Sequence, residues 1–150
     1  MLPTFPPQDT LATLVTGVTE TMLGISFKPA EFVDAGTWRW RTAVLSIPGA
    51  LPITVGLSSD EPGCVALGTA MFACDRSKLD PGMMNDALCE LVNMTAGVVK
   101  TAMNLDQTLG LPKILKSEDE TRRLVDLGWP PVALKADGLG LLLWLCSGTL

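Results

Sequence analysis

The chain has 150 residues, and its 11 Lys and Arg residues against 16 Asp and Glu residues give a net charge of −5. This length suits one domain with a sizeable core, and the acidic balance argues against a surface that neutralises several nucleic-acid phosphates. The chain contains no His, which excludes imidazole bases, His metal ligands and the Ser-His-Asp and Cys-His catalytic arrangements. We therefore expect a single folded domain over residues 1–150, with a proline-rich lead-in over residues 1–8.

The cysteines and the apolar segments indicate a cytoplasmic protein. Cys64, Cys74, Cys89 and Cys146 form no CxxC pair, so their spacing argues against zinc and favours buried thiols. The N-terminus lacks the positive and apolar regions of a signal peptide. The longest apolar run, residues 139–146, is too short to span a bilayer and predicts a buried strand. We expect no membrane insertion and no metal of its own.

The first half of the chain predicts a long helix followed by strands. Apolar residues recur at helical spacing over residues 10–23, and Gly24 is a stop signal. Large and polar residues alternate over residues 37–47, which predicts a strand. The segments 52–58 and 63–67 flank the turn-forming sequence SDEPG, which predicts a hairpin. A short helix is predicted over residues 69–77.

The second half predicts another long helix and a second hairpin. Asp80 and Pro81 are typical of a helix start, and the helix is predicted from about residue 82 to 104. Residues 111–115 predict a short strand, and residues 116–123 are a mixed charge cluster expected on a solvated face. The sequence Asp137-Gly138 joins two strands into a hairpin over residues 131–146. The sum is an α+β fold with two long helices packed on one face of a largely antiparallel sheet.

The second long helix carries a narrow polar stripe. On a helical wheel the stripe falls within about 40° of Asp86, opposite a wide apolar arc; its other members are Glu90, Asn93, Gly97, Lys100 and Asn104. Glycine in a helix costs about 0.5–1 kcal/mol relative to alanine, and Gly97 would let another backbone approach closely. Taken as chemistry alone, Glu90 and Asn93 either dock a cation and orient a water or are solvent-facing residues without a task.

Residues 86–97, DALCELVNMTAG, resemble the (Asp/Ser)-x3-Glu-x2-Asn signature of the CheC/CheX/FliY chemotaxis phosphatases. All three signature positions and the following Met and Gly are filled. The resemblance extends over roughly residues 10–146, through the segments around 62–63, 70–71 and 111–112. It implies a CheC/CheX-like fold and a phosphatase that acts on the aspartyl-phosphate of a CheY-type response regulator.

The resemblance also implies a role for each signature residue. Glu90 would pair with a lysine at the active site of the regulator, and Asn93 would place a water in line with the phosphorus. Asp86 and Gly97 would support the edge of the site. The Mg2+ ion would belong to the regulator, so the protein needs no cofactor of its own. Positioning of water suits a chain without His, because phosphoryl transfer needs little covalent help from the enzyme.

Some members of this family have two active helices, so the first long helix is a candidate for a second copy of the signature. Thr16, Glu20 and Leu23 occupy the equivalent spacing. Leu23 cannot hold a water as an amide does, which predicts one active helix and a CheX-like organisation. The resemblance implies a homodimer formed through the sheet, to which only Trp38, Trp40 and the apolar last strand point here.

Two other kinds of function stay open at this point. The same fold could serve as a non-enzymatic interaction module that binds a response regulator, a flagellar switch protein or a CheD-like deamidase. A dimeric scaffold without a ligand is the third alternative, although it does not explain why the chain carries the signature residues. The sequence does not identify the cognate regulator or show that its pathway is chemotaxis.

Overall fold

The computed structural model describes residues 3–31, 36–127 and 130–149. Within these residues the chain forms four α-helices: α1 (Gln8–Leu23), α2 (Glu61–Phe72), α3 (Pro81–Ala102) and α4 (Glu118–Leu127). Six antiparallel strands form one sheet in the order β1-β5-β6-β3-β2-β4. The strands are β1 (Lys28–Pro29), β2 (Arg41–Ile47), β3 (Ile53–Ser59), β4 (Lys113–Ile114), β5 (Val132–Ala136) and β6 (Leu139–Ser147). The predicted α+β class is confirmed.

The two faces of the sheet bury different helices. On one face, Leu45 of β2 and Val55 of β3 share a core cluster with Val15 of α1 and Leu91 of α3. This confirms that the two long helices pack on the same face. On the other face, Trp144 of β6 lies in a smaller cluster with α4, which contributes the fully buried Leu124.

The ends of α1 and α3 follow the predicted signals. At the start of α3, the Asp80 carboxylate accepts a hydrogen bond of 2.8 Å from the Met83 N–H, and Pro81 occupies the first helical position. At the end of α1, Gly24 takes a left-handed φ of +68°. Both helices begin within two residues of the predicted positions and end within two residues of them.

The predicted hairpin around residues 59–63 is wrong, because this segment starts α2. The Asp60 Oδ1 atom accepts from the Gly63 N–H at 2.8 Å and its Oδ2 atom from the Gly140 N–H at 3.1 Å, which caps the helix and ties it to β6. Acidic residues and prolines are favoured both in turns and in the first turn of a helix, so composition did not separate the two. The strand that forms a hairpin with β3 is β2.

The predicted short helix over residues 69–77 is also wrong. Its first residues belong to α2, which ends at Phe72 and is followed by Ala73 in the left-handed conformation at φ +48°. A single 3-10 turn over Arg76–Lys78 follows. The apolar run after Gly63 therefore folds as one helix, and not as the predicted strand followed by a second helix.

The remaining elements differ in their bounds. A 3-10 turn occupies Gly36–Arg39, so β2 begins at Arg41 and not at residue 37. The strand predicted over 111–115 is limited to β4, and the short β1 was not predicted. The charge cluster over 116–123 contains most of α4. The predicted second hairpin is confirmed, with Asp137 and Gly138 at positive φ.

The four cysteines are free thiols. Cys64 and Cys146 are buried as predicted, whereas Cys74 and Cys89 are half-buried. Within the described ranges, no helix combines the length and hydropathy that a bilayer crossing requires.

Candidate functional site on helix α3

The signature residues lie on the outer face of α3. The helix buries Leu88, Leu91 and other apolar side chains against the sheet. Asp86 and Glu90 are exposed and Asn93 is half-buried, one helical turn beyond Glu90. The structure therefore places the carboxylate and the amide side by side on one accessible surface.

The polar ends of Glu90 and Asn93 are not engaged within the described part of the chain. Neither side chain forms a hydrogen bond or an ion pair with another described residue. An unengaged carboxylate and amide, held on a helix that is anchored by its apolar face, can be satisfied by a partner without first breaking internal contacts.

Two neighbours complete this surface. Met94 is 42% exposed beside Asn93, which gives a partner a flexible apolar contact. A Cβ atom added at Gly97 would meet no atom within 4 Å, so the packing of this chain does not demand glycine there. The exposure of Met94 was not predicted from the sequence, although its place at the edge of the polar stripe could have indicated it.

The surface holds a thiol that is poorly suited to nucleophilic chemistry. Burial raises the pKa of the Cys89 thiol above its ordinary value of 9.0, and the nearby Asp86 carboxylate raises it further. Cys89 therefore stays protonated at neutral pH, and the protonated thiol is a weak nucleophile. What the surface offers is a negative charge and an amide that can both donate and accept hydrogen bonds.

The equivalent positions of α1 have structural contacts. The Thr16 hydroxyl lies 2.6 Å from the Phe27 carbonyl oxygen and 2.9 Å from that of Ala12. The Glu20 carboxylate accepts a hydrogen bond of 2.7 Å from the Ser26 hydroxyl. Leu23 packs against the main core. The structure thus brings together a carboxylate and an amide on α3 and does not do so on α1.

The part of the chain that the structure describes contains no set of side chains that could bind a metal ion. No group of three or more Cys, Asp or Glu side chains gathers there closely enough to hold an ion. Asp86 and Glu90 are two carboxylates on neighbouring turns, and among the described residues no third carboxylate joins them in such a group.

The sequence model of the family described as chemotaxis phosphatase CheX matches residues 41–127. This match covers more than half of the chain and includes all of α3. The chain belongs to the CheX family, as the signature over residues 86–97 indicated.

Solved structures share the fold at low sequence identity. Chemotaxis protein CheX from Vibrio vulnificus is 15% identical, with a TM-score of 0.71 and coverage of 93% of this chain and 94% of that one. A chain of the crystal structure of the CheX-CheY-BeF3-Mg2+ complex from Borrelia burgdorferi is 12% identical, with a TM-score of 0.70 and coverage of 97% of this chain and 100% of that one. Chemotaxis protein CheX from Desulfovibrio desulfuricans is 17% identical, with a TM-score of 0.66 and coverage of 93% and 97%. No curated protein matches the chain.

Proposed function

We propose that this protein is a phosphatase that hydrolyses the aspartyl-phosphate of a CheY-type response regulator. The observation that carries the proposal is the pair of accessible, unengaged side chains of Glu90 and Asn93 on α3 of a CheX-family chain. A CheX of this fold from Borrelia burgdorferi was solved in complex with CheY, BeF3 and Mg2+, which supports a CheY-type partner.

In the proposed mechanism Asn93 acts on the attacking water. Its amide oxygen accepts a hydrogen bond from the water and holds it in line with the phosphorus of the regulator. Phosphoryl transfer passes through a loose transition state, so correct placement of the nucleophile supplies much of the acceleration without a general base. The Mg2+ ion is part of the phosphorylated substrate, where it offsets the charge of the phosphoryl oxygens.

Glu90 has a docking role in this mechanism. Its carboxylate pairs with a lysine of the regulator and fixes the rotation and depth of α3 in the active site. Asp86 supports the edge of the contact one turn earlier, and the absence of a side chain at Gly97 leaves room for the regulator's backbone. Only Asn93 touches the reacting atoms.

The proposal is tested by single-turnover decay of a phosphorylated CheY-type receiver domain with saturating protein. The affinity is measured separately with the receiver domain activated by beryllium fluoride. We expect the wild-type protein to accelerate decay, and Asn93→Ala to lose about 10²-fold in rate with little change in affinity, because the amide acts mainly in the transition state.

Two results would count against the proposal. A wild-type protein that binds the receiver domain but does not accelerate decay would favour the interaction module without turnover. Full activity of Asn93→Ala would show that the water is placed by another group.

The homodimer stays a prediction. Trp38 is half-buried and packs against the cluster that contains Trp144, with its ring close to Gly140. Trp40 is 41% exposed. Sedimentation equilibrium of the full chain measures the oligomeric state directly.

A further inference from the structure

A groove of about 860 Å³ opens at one end of the sheet, where β2 begins. It lies between the first turn of α3 and the helix α4, which pack on opposite faces of the sheet. We call it the basic groove, because four cationic side chains line it: Arg39, Arg41, Lys116 and Arg122. Glu118 is the one acidic residue among the described residues that line it.

One wall of the basic groove is held rigidly. The Arg41 guanidinium donates hydrogen bonds to the Asn85 side-chain oxygen and to the Pro81 carbonyl oxygen of α3. It also stacks over the ring of Trp40 at 4.6 Å from the ring centroid. These contacts fix a cation beside an aromatic ring that is 41% exposed. Tryptophan and arginine are, with tyrosine, enriched among the residues that contribute most of the binding energy of protein interfaces.

The other wall carries cations that are not neutralised. Lys116 and Arg122 are exposed, and neither side chain forms an ion pair or hydrogen bond with another described residue. The nearby Glu120 carboxylate is instead engaged by the Lys113 ammonium at 3.8 Å and by the Ser117 hydroxyl at 3.3 Å. In a chain of net charge −5, the basic groove is therefore a local reversal of charge.

We propose that the basic groove binds an acidic surface segment of the response regulator while Glu90 and Asn93 occupy its active site. This inference rests on the proposed function. The groove borders the N-terminal edge of the contact surface of α3, because Asn85 lines it and is followed in the chain by the exposed Asp86. Glu90 lies one turn beyond Asp86 on the polar stripe, about 6 Å along the helix axis.

The form of the groove favours a protein segment over a small anion. Its cations come from separate elements and line an open surface, whereas a site for one phosphate directs buried donors at a single point. Lys116 and Arg122 remain in solvent, where charges steer encounter and fix orientation more than they hold a ligand. The groove should therefore affect affinity for the regulator, and not the rate of hydrolysis once the complex has formed.

The test compares two double variants with the same change in net charge. Lys116→Gln with Arg122→Gln removes two cations from the basic groove. Arg123→Gln with Lys135→Gln removes two exposed cations that do not line it. Affinity for a beryllium-fluoride-activated receiver domain is measured at low and high salt, and single-turnover decay of the phosphorylated domain is measured at saturation.

We expect the groove variant to weaken affinity by about fivefold at low salt, with the loss shrinking at high salt and the saturating rate unchanged. The control variant should stay within about twofold, since it changes only the overall field. Equal losses in the two variants would overturn the proposal. ATP or inorganic phosphate bound at the groove, with unchanged affinity for the receiver domain, would identify a small-anion site and would also overturn it.

The outcomes separate this proposal from the proposed function. If the receiver domain binds but is not hydrolysed, the proposed function fails and the affinity comparison still decides the role of the groove. If hydrolysis depends on Asn93 while both double variants bind alike, the groove fails and the function stands. A receiver domain that does not bind at all overturns both.

Discussion

Helices α1 and α3 lie on the same face of the sheet, and each carries three residues at the spacing of the phosphatase signature. In both helices the second of these residues is a glutamate. The equivalent residues are Thr16, Glu20 and Leu23 in α1 and Asp86, Glu90 and Asn93 in α3. In α1 the polar atoms of Thr16 and Glu20 are engaged within the chain, by the Phe27 carbonyl oxygen and the Ser26 hydroxyl, and Leu23 is partly buried against the core. In α3 the carboxylate and the amide are unengaged within the described residues.

The spacing of the signature residues alone therefore does not make a helix face a binding site. A polar residue at the correct position of a helix serves the fold when its polar atoms have partners in the same chain. It is available to a second protein when the fold leaves those atoms in water. On this criterion α1 is a structural helix and α3 is the helix for the proposed contact.

The largest effect is expected from loss of the Asn93 amide, and an amide placed on α1 should not compensate for that loss. In the Asn93→Ala background, the additional change Leu23→Asn should leave the dephosphorylation rate about 10²-fold below wild type. Leu23→Asn should also lower the free energy of unfolding by about 1–3 kcal/mol, because it places an amide where an apolar side chain packs on the core. Single-turnover decay and urea denaturation measure the two effects. Recovery of the rate would show that α1 can act as a second active helix.

The two carboxylates give the next comparison. Glu90→Ala should weaken affinity for the activated receiver domain by about tenfold and lower the rate as well, because a charge pair inside a closed interface is worth more than an exposed one. Glu20→Ala should change both by less than twofold, since Glu20 is exposed and its carboxylate is hydrogen-bonded to the Ser26 hydroxyl of the same chain. The same loss of negative charge in both variants makes Glu20→Ala the matched control. Equal losses of affinity and rate in the two variants would contradict the assignment of the site to α3.

Thr16 and Asp86, the first residues of the two compared sets, should differ in their effect on the free energy of unfolding. Thr16→Val removes the hydroxyl beside the Phe27 carbonyl oxygen and should lower the free energy of unfolding by about 1 kcal/mol, with an unchanged dephosphorylation rate. Asp86→Ala should leave stability within about 0.5 kcal/mol of wild type, because Asp86 is exposed. Equilibrium denaturation of both variants measures this contrast. A rate loss in Thr16→Val at full stability would contradict the structural role.

The fold was predictable where periodicity was strong. The apolar arcs of α1 and α3 and the hairpin at Asp137-Gly138 follow from local patterns, and the structure confirms them. The start of α2 was missed because Asp60 and Pro62 suit a turn as well as a helix start. The contact that distinguishes the two is the hydrogen bond from the Gly140 N–H to Asp60, across the chain. No local pattern contains that contact.

The site was predictable in position and not in its surroundings. The wheel placed Glu90 and Asn93 on one face, and the resemblance to a signature supplied their roles, which stay predictions. The basic groove could not be predicted from the sequence, because Arg41 and Arg122 are far apart in the chain. They line the same groove only because α4 and α3 pack around the start of β2. In the sequence analysis the charges of residues 116–123 were an ordinary solvated face.

Two helical glycines give the smallest and most selective comparison. Gly17 in α1 and Gly97 in α3 both have open space where a Cβ atom would lie. Alanine at either position should therefore raise the free energy of unfolding by about 0.5–1 kcal/mol through helix propensity. Only Gly97→Ala should also weaken affinity for the activated receiver domain, by about threefold or roughly 0.6 kcal/mol, because its methyl group enters the space proposed for the partner's backbone. Urea denaturation and titration of the same samples measure both quantities. A variant Gly97→Ala that is more stable and binds as wild type would show that the regulator does not approach α3 at this turn, and would move the contact toward Asp86 and the N-terminal end of the helix.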